Sequence, residues 1–317
     1  MSEQVHEIRA GENPLTRMLG VLTAPGSTFQ HLAERPVWLA PLVTYFVVLS
    51  IAFGVYSMRA DWEAIITNQV ESSALIRFAP EEQQDVIVKQ ATKAVHDLSP
   101  WEFTLSKLVQ QILPTQVVFF HLMALVYATL FVMMGAFPEL KLGRMWLNFL
   151  LCLLLAVGYV LVSLVGGIAF RSSPQSALVL GIPSVLALVG GWLWLLGRFV
   201  RQDESFRKVL SVCTHSGMVF AVGAVAFLAV SLATPQPIET PPNEIVKSSV
   251  GALITTENSA VKSLLGSLDV FSLWVLAVLT IGFRTVTKVS SGIAASLTIL
   301  PWAAIVMVKI ASSAAFG

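Results

Sequence analysis

The sequence predicts an all-α protein, a polytopic helical bundle that crosses a membrane about seven times. Three observations carry that prediction. Hydrophobic residues make up 55% of the chain, charged residues only 12%, and the mean hydropathy is +0.75, whereas a soluble domain is roughly 25% charged. Several apolar runs reach the roughly 20 residues needed to cross a bilayer's hydrocarbon core. Basic residues gather in alternate connections between those runs, as the positive-inside rule asks of a multi-pass protein.

The elements read as follows. Residues 1–36 form a cytoplasmic, amphipathic N-terminal segment, and 37–317 form the transmembrane domain. In "NPLTRMLGVLTAPGSTFQHLAERP", Pro14 and the Ser27–Thr28 pair mark the starts of two short helices, expected to lie at the membrane surface. No apolar signal-peptide core precedes the first span, which is expected to direct insertion itself. Spans are expected near 37–58, 114–136, 145–170, 176–199, 209–233, 268–286 and 290–310. The fourth and seventh contain Pro183 and Pro301, tolerated in membrane helices where neighbours satisfy the freed carbonyl. Small residues four apart (Ser163 and Gly167, Gly217 and Ala221, Gly292 and Ser296) allow close helix approach.

Two outer loops, 59–113 and 234–267, carry structure of their own. Pro80 with Glu81 and Glu82 opens a helix with a stripe of Ile87, Ala91, Ala94 and Leu98. "SPWE" opens another: Ser99 as N-cap, Pro100 at the first position, Glu102 reaching back, and Trp101, Leu105, Leu108 and Ile112 as its apolar stripe. These helices either cap the bundle or form a docking surface. In the second loop the proline-rich "TPQPIETPPNE" reads as extended, followed by an amphipathic helix from Asn243 to about Leu265. The connections starting at Gly135 and Gly197 echo each other weakly, which raises the possibility of a duplicated hairpin.

Orientation follows from the basic residues. With the N-terminus inside, cytoplasmic segments hold Arg9, Arg17, Arg35, Lys141, Arg144, Arg198, Arg201, Arg207, Lys208, Arg284 and Lys288. Outside stand Arg171, Lys247, Lys262 and Lys309, plus a first loop in which acids outnumber bases. The C-terminus is therefore expected outside.

Ionisable residues at membrane depth are expensive and so are candidate functional groups. They are His121, His215, Asp269 and Lys309. Asp269 opens "SLDVFSLWVLAVLTIGF", where it suits a helix N-cap favoured by the macrodipole, with Phe271 and Ser272 supplying amides and Trp274 in an interfacial aromatic belt. Pairing of Asp269 with Lys309 is a further expectation, and proton movement by Asp269 a rival one. His121 and His215 read as neutral imidazoles bonded to carbonyls at opposite depths, which disfavours a shared metal site. No metal or cofactor is expected: no two metal-ligating residues sit three or four apart on one span. Cys152 and Cys213 fall in apolar runs and read as small hydrophobes.

No motif of a zinc hydrolase, nucleophile-elbow serine enzyme, phosphate-binding loop or dinucleotide fold is present. Ser184 in "GIPS" has only His215 as a base, expected near the wrong face. The net charge of +1 provides no field for nucleic acid. In "GRFVRQDESFRK", Arg198, Arg201, Arg207 and Lys208 either anchor the loop or hold anionic lipid or a cytoplasmic partner, each base contributing about 1 kcal/mol near the surface.

Three stretches carry a resemblance: "LTAPGSTFQHLAERP", "LLGRFVRQDESFRKVLSV" and "LDVFSLWVLAVLTIGF". The chain resembles the bacterial branch of the Yip1 family, in its first 60 residues and from about 190 to 310. The resemblance implies a bundle of about five spans with a cytoplasmic N-terminus, so the hairpin at 114–170 reads as an addition. Asp269, Phe271 and Trp274 match the family pattern, with no chemistry attached to them. In eukaryotes the family is associated with Rab-type GTPases, early secretory traffic and membrane shape. The expected function is thus non-enzymatic: an inner-membrane protein of a bacterium that binds membrane lipids, other membrane proteins or its own copies. The alternatives are a small-solute or ion carrier or channel, suggested by the proline-kinked spans with Asn148 and His215, and more remotely an intramembrane enzyme.

Overall fold

The computed structural model of the chain describes residues 13–72, 81–108, 113–133, 150, 204–254, 256 and 258–316. Among these residues there is no β-strand, only two isolated bridges, and the chain is built from helices. The expected spans at 145–170 and 176–199, with Cys152, Pro183 and Ser184, lie outside the described residues, as do Asn148, Arg198 and Arg201.

Two short helices come first, α1 (Pro14–Thr23) and α2 (Pro25–Glu34). The side chain of Asn13 caps α1 by accepting from the Leu15 amide at 3.1 Å, and each helix begins with a proline, whose missing N–H costs nothing there. Each also turns apolar side chains into the bundle. Met18 and Val21 of α1, and Phe29 and Leu32 of α2, are buried in the same clusters as the long helices. Protein covers these side chains, while Leu15 and Leu19 of α1 remain exposed.

Among the described residues, four helices are long and apolar enough to cross a membrane: α3 (Leu39–Arg59), the nearly continuous run Ser205–Ala233, α12 (Val270–Thr287), and α13 (Ser291–Phe316). They match the first, fifth, sixth and seventh expected spans. Another apolar helix of 21 residues, α7 (Leu113–Met133), stands where the second was expected and contains no acid, lysine or arginine. The run Ser205–Ala233 consists of α8 (Glu204–Ser216) and α9 (Met218–Ala233), offset at Gly217. There the Phe120 ring of α7 occupies the space a Cβ would need, and the Phe220 amide reaches the Gly217 carbonyl at 2.9 Å. The helix also begins earlier than 209, so Arg207 and Lys208 belong to its first turns.

The helices alternate in direction between two ends. At one end α1 and α2 meet the start of α3, the start of α8 and the finish of α12: the Ser211 hydroxyl donates to the Val37 carbonyl at 2.7 Å, and Phe29 packs beside Gly282. Tyr127 and Phe131 of α7 each stack 4.8 Å from Phe283. At the other end, Arg59 at the finish of α3 donates to the Thr234 carbonyl after α9, at 2.9 Å. The Asp61 amide donates to Ile238 O and the Ile238 amide to Arg59 O, both at 2.9 Å.

This second end is roofed by α4 (Trp62–Ser72), α5 (Glu81–Asp97), α6 (Pro100–Lys107) and the loop after α9. Phe53, Tyr56, Ile65, Ile238 and Ile245 form its core, and the Tyr56 hydroxyl donates to Thr240 O at 2.8 Å. The starts of α5 and α6 fall where the sequence placed them, and α6 has its capping box: the Glu102 carboxylate accepts from the Ser99 amide at 2.9 Å. The apolar stripe of α6 is not the one expected. Trp101 and Leu105 are exposed, whereas Phe103 and Ser106 are buried. Phe103 stacks on Trp62 at 5.3 Å, and Thr104 bonds to Ser57 of α3 at 2.7 Å, and these contacts turn the helix.

The bonds from Ser99 hold the Glu102 carboxyl below the usual carboxylate range. A group depressed in the folded state stabilises above its unfolded pKa and loses that contribution as pH falls through the folded value. Amide protection in the first turn of α6 is therefore expected to fall on acidification into that range. Hydrogen exchange should show the step in the wild type and not in Glu102→Gln.

The helix expected from Asn243 to Leu265 is broken. It becomes the turn α10 (Pro242–Ile245), a short 3₁₀ turn (Val250–Ala252), and α11 (Ser259–Ser267), capped by Asn258. Between them the backbone at Ser248–Val250 pairs with the start of α12, and a Cβ on Gly251 would lie 2.8 Å from the Gly266 nitrogen. That pairing and close approach exclude a continuous helix.

Candidate functional site

Asp269 sits at the roofed end, where α11 hands over to α12. Its backbone is extended (φ −106°, ψ 150°) and forms an antiparallel bridge with Ser249: the Val250 amide donates to Leu268 O and the Val270 amide to Ser248 O, both at 3.1 Å. Its Oδ1 accepts from the Phe271 amide at 2.9 Å and the Ser272 amide at 3.3 Å. Two of the amides that α12 would leave orphaned are thereby satisfied. Removing the cap with Asp269→Ala should cost about 0.5–2 kcal/mol, while Asn, an equally good cap, should cost little. Thermal unfolding of the two variants in one detergent checks this ordering.

Asp269 also lines a cleft of about 510 Å³ between α7, α9, α11, α12 and α13. The walls are largely apolar and aromatic, including Phe119, Tyr127, Phe220 and Trp302, and the polar groups Ser267, Asp269, Ser272 and Lys309 line it too. Lys309 Nζ lies 3.3 Å from Ser267 Oγ, which accepts because its own proton goes to Ser263 O at 2.8 Å. The expected Asp269–Lys309 ion pair is not formed: both side chains line the cleft, but the ammonium and the carboxylate do not come within 4.0 Å of each other. A serine two residues before Asp269 takes the lysine instead. A second cleft, about 420 Å³, touches Asp269, Phe271 and Phe220 from the side of α3.

The remaining candidates fall elsewhere. Phe271 is half-buried over Gly223 of α9, and Trp274 is half-buried against the main core. His215 is 2% exposed, and its Nδ1 lies 2.9 Å from Ser211 O. A carbonyl only accepts, so Nδ1 carries the proton, and the ring is a bonded part of α8 outside the cleft. His121 falls within α7. Arg207 and Lys208 are half-buried in the first turns of α8. No cluster of three metal-ligating side chains occurs among the described residues. Sequence reasoning missed Ser267, Tyr127 and Trp302; the only local signals were the serine in "SLD" and the tryptophan following Pro301.

The model of the Yip1 domain matches residues 119–312. The chain belongs to the Yip1 family. The match takes in α7, from residue 119 on, to α13 and runs through the stretch read above as an added hairpin, while α1 to α6 precede it. No curated protein and no solved structure matches the chain. Together with its apolar helices, the match makes this a multi-pass membrane protein associated with lipid, in a family that is in general non-enzymatic. Within "LTIGF", Gly282 is buried where a Cβ would lie 2.7 Å from Val212 Cγ1 and 2.9 Å from Phe29 Cζ, so the glycine lets α12 approach α8 and α2.

Proposed function

We propose that this Yip1-family protein works without catalysis, by binding amphiphiles of the membrane, lipids first and membrane-protein segments or its own copies second, and so organising the membrane around it. The observation that carries the reading is the cleft beside Asp269. It is a largely apolar hollow bounded by several helices, with a small set of polar groups among its walls, which is how a site for an amphiphile is built. The family match and the polytopic helical build support the same reading. Cytoplasmic basic residues, Arg198, Arg201, Arg207 and Lys208, contribute a second attachment to anionic headgroups or a cytoplasmic partner.

The protein resides in the inner membrane of a bacterium, crosses it seven times, and keeps its N-terminus in the cytoplasm and its C-terminus outside. Residues 1–36 remain on the cytoplasmic side, and the loops 59–113 and 234–267 form the outer roof. The basic-residue distribution supports this orientation, and so does the gathering of both loops at the end opposite α1 and α2. A cysteine replacing exposed Gln30 should be labelled only from the cytoplasm and one replacing Glu239 only from outside; the reverse pattern refutes the orientation.

A carrier reading is weaker. Pro301 does line the cleft, but His215, its proposed coupling group, is held by Ser211 and does not face that space. Detergent-free extraction from native membranes, followed by mass spectrometry, tests the main reading. A lipid or protein retained at fixed stoichiometry is expected. A bulk-like lipid profile with no retained protein contradicts it, as does turnover of a substrate by the reconstituted protein.

A further inference from the structure

Among the described residues the cleft wall carries two formal charges, and each is left with unused capacity. Asp269 spends Oδ1 on the α12 cap, and its Oδ2 accepts no hydrogen bond among the described residues. Lys309 uses one N–H on Ser267, leaving two to offer. The neighbours of Lys309 on α13, Met307 and Val308, are 63% and 69% exposed, so the ammonium stands beside the apolar surface that faces lipid. An occupant matching this wall needs an anion for Lys309, a cation with N–H donors for Asp269, and long apolar chains for the aromatic walls around Trp302. Those are the parts of one molecular class.

We propose that the cleft is a headgroup site for a glycerophospholipid bearing a phosphate and a primary ammonium. The inference deepens the amphiphile-binding function and rests on it. Lys309, steadied by its bond to Ser267 Oγ, holds the phosphate with its two remaining N–H groups, Asp269 Oδ2 accepts from the ammonium, and the acyl chains lie along α7 and α13. A lipid with an uncharged glycerol headgroup offers Asp269 no cation. A quaternary ammonium offers charge without an N–H.

The test is native mass spectrometry of the full chain in micelles, titrated separately with dioleoyl phosphatidylethanolamine, phosphatidylglycerol and phosphatidylcholine. The wild type should bind the ethanolamine lipid about tenfold more tightly than the other two, the equivalent of about 1.4 kcal/mol. Asp269→Asn keeps the helix cap and should fold, with an unchanged unfolding temperature, yet lose the preference. Lys309→Met, at an exposed position, should weaken all three lipids about tenfold. Equal binding of the three lipids by the wild type overturns the headgroup assignment alone, as does a preference surviving Asp269→Asn. Absence of any retained lipid overturns the amphiphile reading with it.

Discussion

Replacing Phe29 with alanine is expected to cost about 3–5 kcal/mol, the range for truncating a fully buried aromatic. The ring is 0% exposed and lies in the main core with Leu210, Val212 and Phe283. It is supplied by a ten-residue helix that sequence alone would leave on the membrane surface. If α2 merely rested there, the variant would unfold like the wild type. Because α2 is part of the core, Phe29→Ala should lower the unfolding temperature of the whole bundle and expose the exposed face around Gln30 to proteolysis at lower denaturant.

Gly282→Ala is the complementary test, expected to cost about 1–3 kcal/mol by overpacking. The added methyl meets Val212 Cγ1 and Phe29 Cζ well inside ordinary contact, and both residues are fully buried. The two substitutions share one small space, so they should not add. In a Phe29→Ala background the methyl gains room on one side, and Gly282→Ala should cost measurably less than it does alone. Val212 keeps the relief partial. Strict additivity in a double-mutant cycle would show that α2 and α12 do not touch.

What the sequence made legible was local. The caps of α6 and α12 depend on residues two or three positions apart, so "SPWE" and "SLDVFS" already contained them. Helix type, the ends of α3 and α12 and the start of α13 followed from apolar length and flanking charge, while α13 runs on to Phe316, past the end expected near 310. What it concealed was the partner of each face. The stripe of α2 reads the same against lipid as against α12, and only the missing side chain at Gly282 hints at a neighbour. The stripe of α6 misled because Trp62 and Ser57, on other elements, set its rotation. The helix from Asn243 failed because two backbone contacts, Ser249 with Asp269 and Gly251 with Gly266, outweigh an amphipathic pattern. The cleft itself joins Phe119, Ser267, Asp269 and Trp302 from several helices, so spacing along the chain could not assemble it. Lys309 was seen, but its expected partner was the nearest acid of opposite charge, whereas the hydroxyl of Ser267 lay closer.

The claim that this cleft holds a membrane lipid is tested most directly from inside it. A photoreactive p-benzoylphenylalanine in place of Trp302, similar in size and set in the cleft wall, can be activated in native membranes and the intact protein weighed. The account predicts adducts with the mass of a phospholipid, reduced when Lys309→Met is added. Adducts confined to the chain itself, with no phospholipid mass, would contradict it.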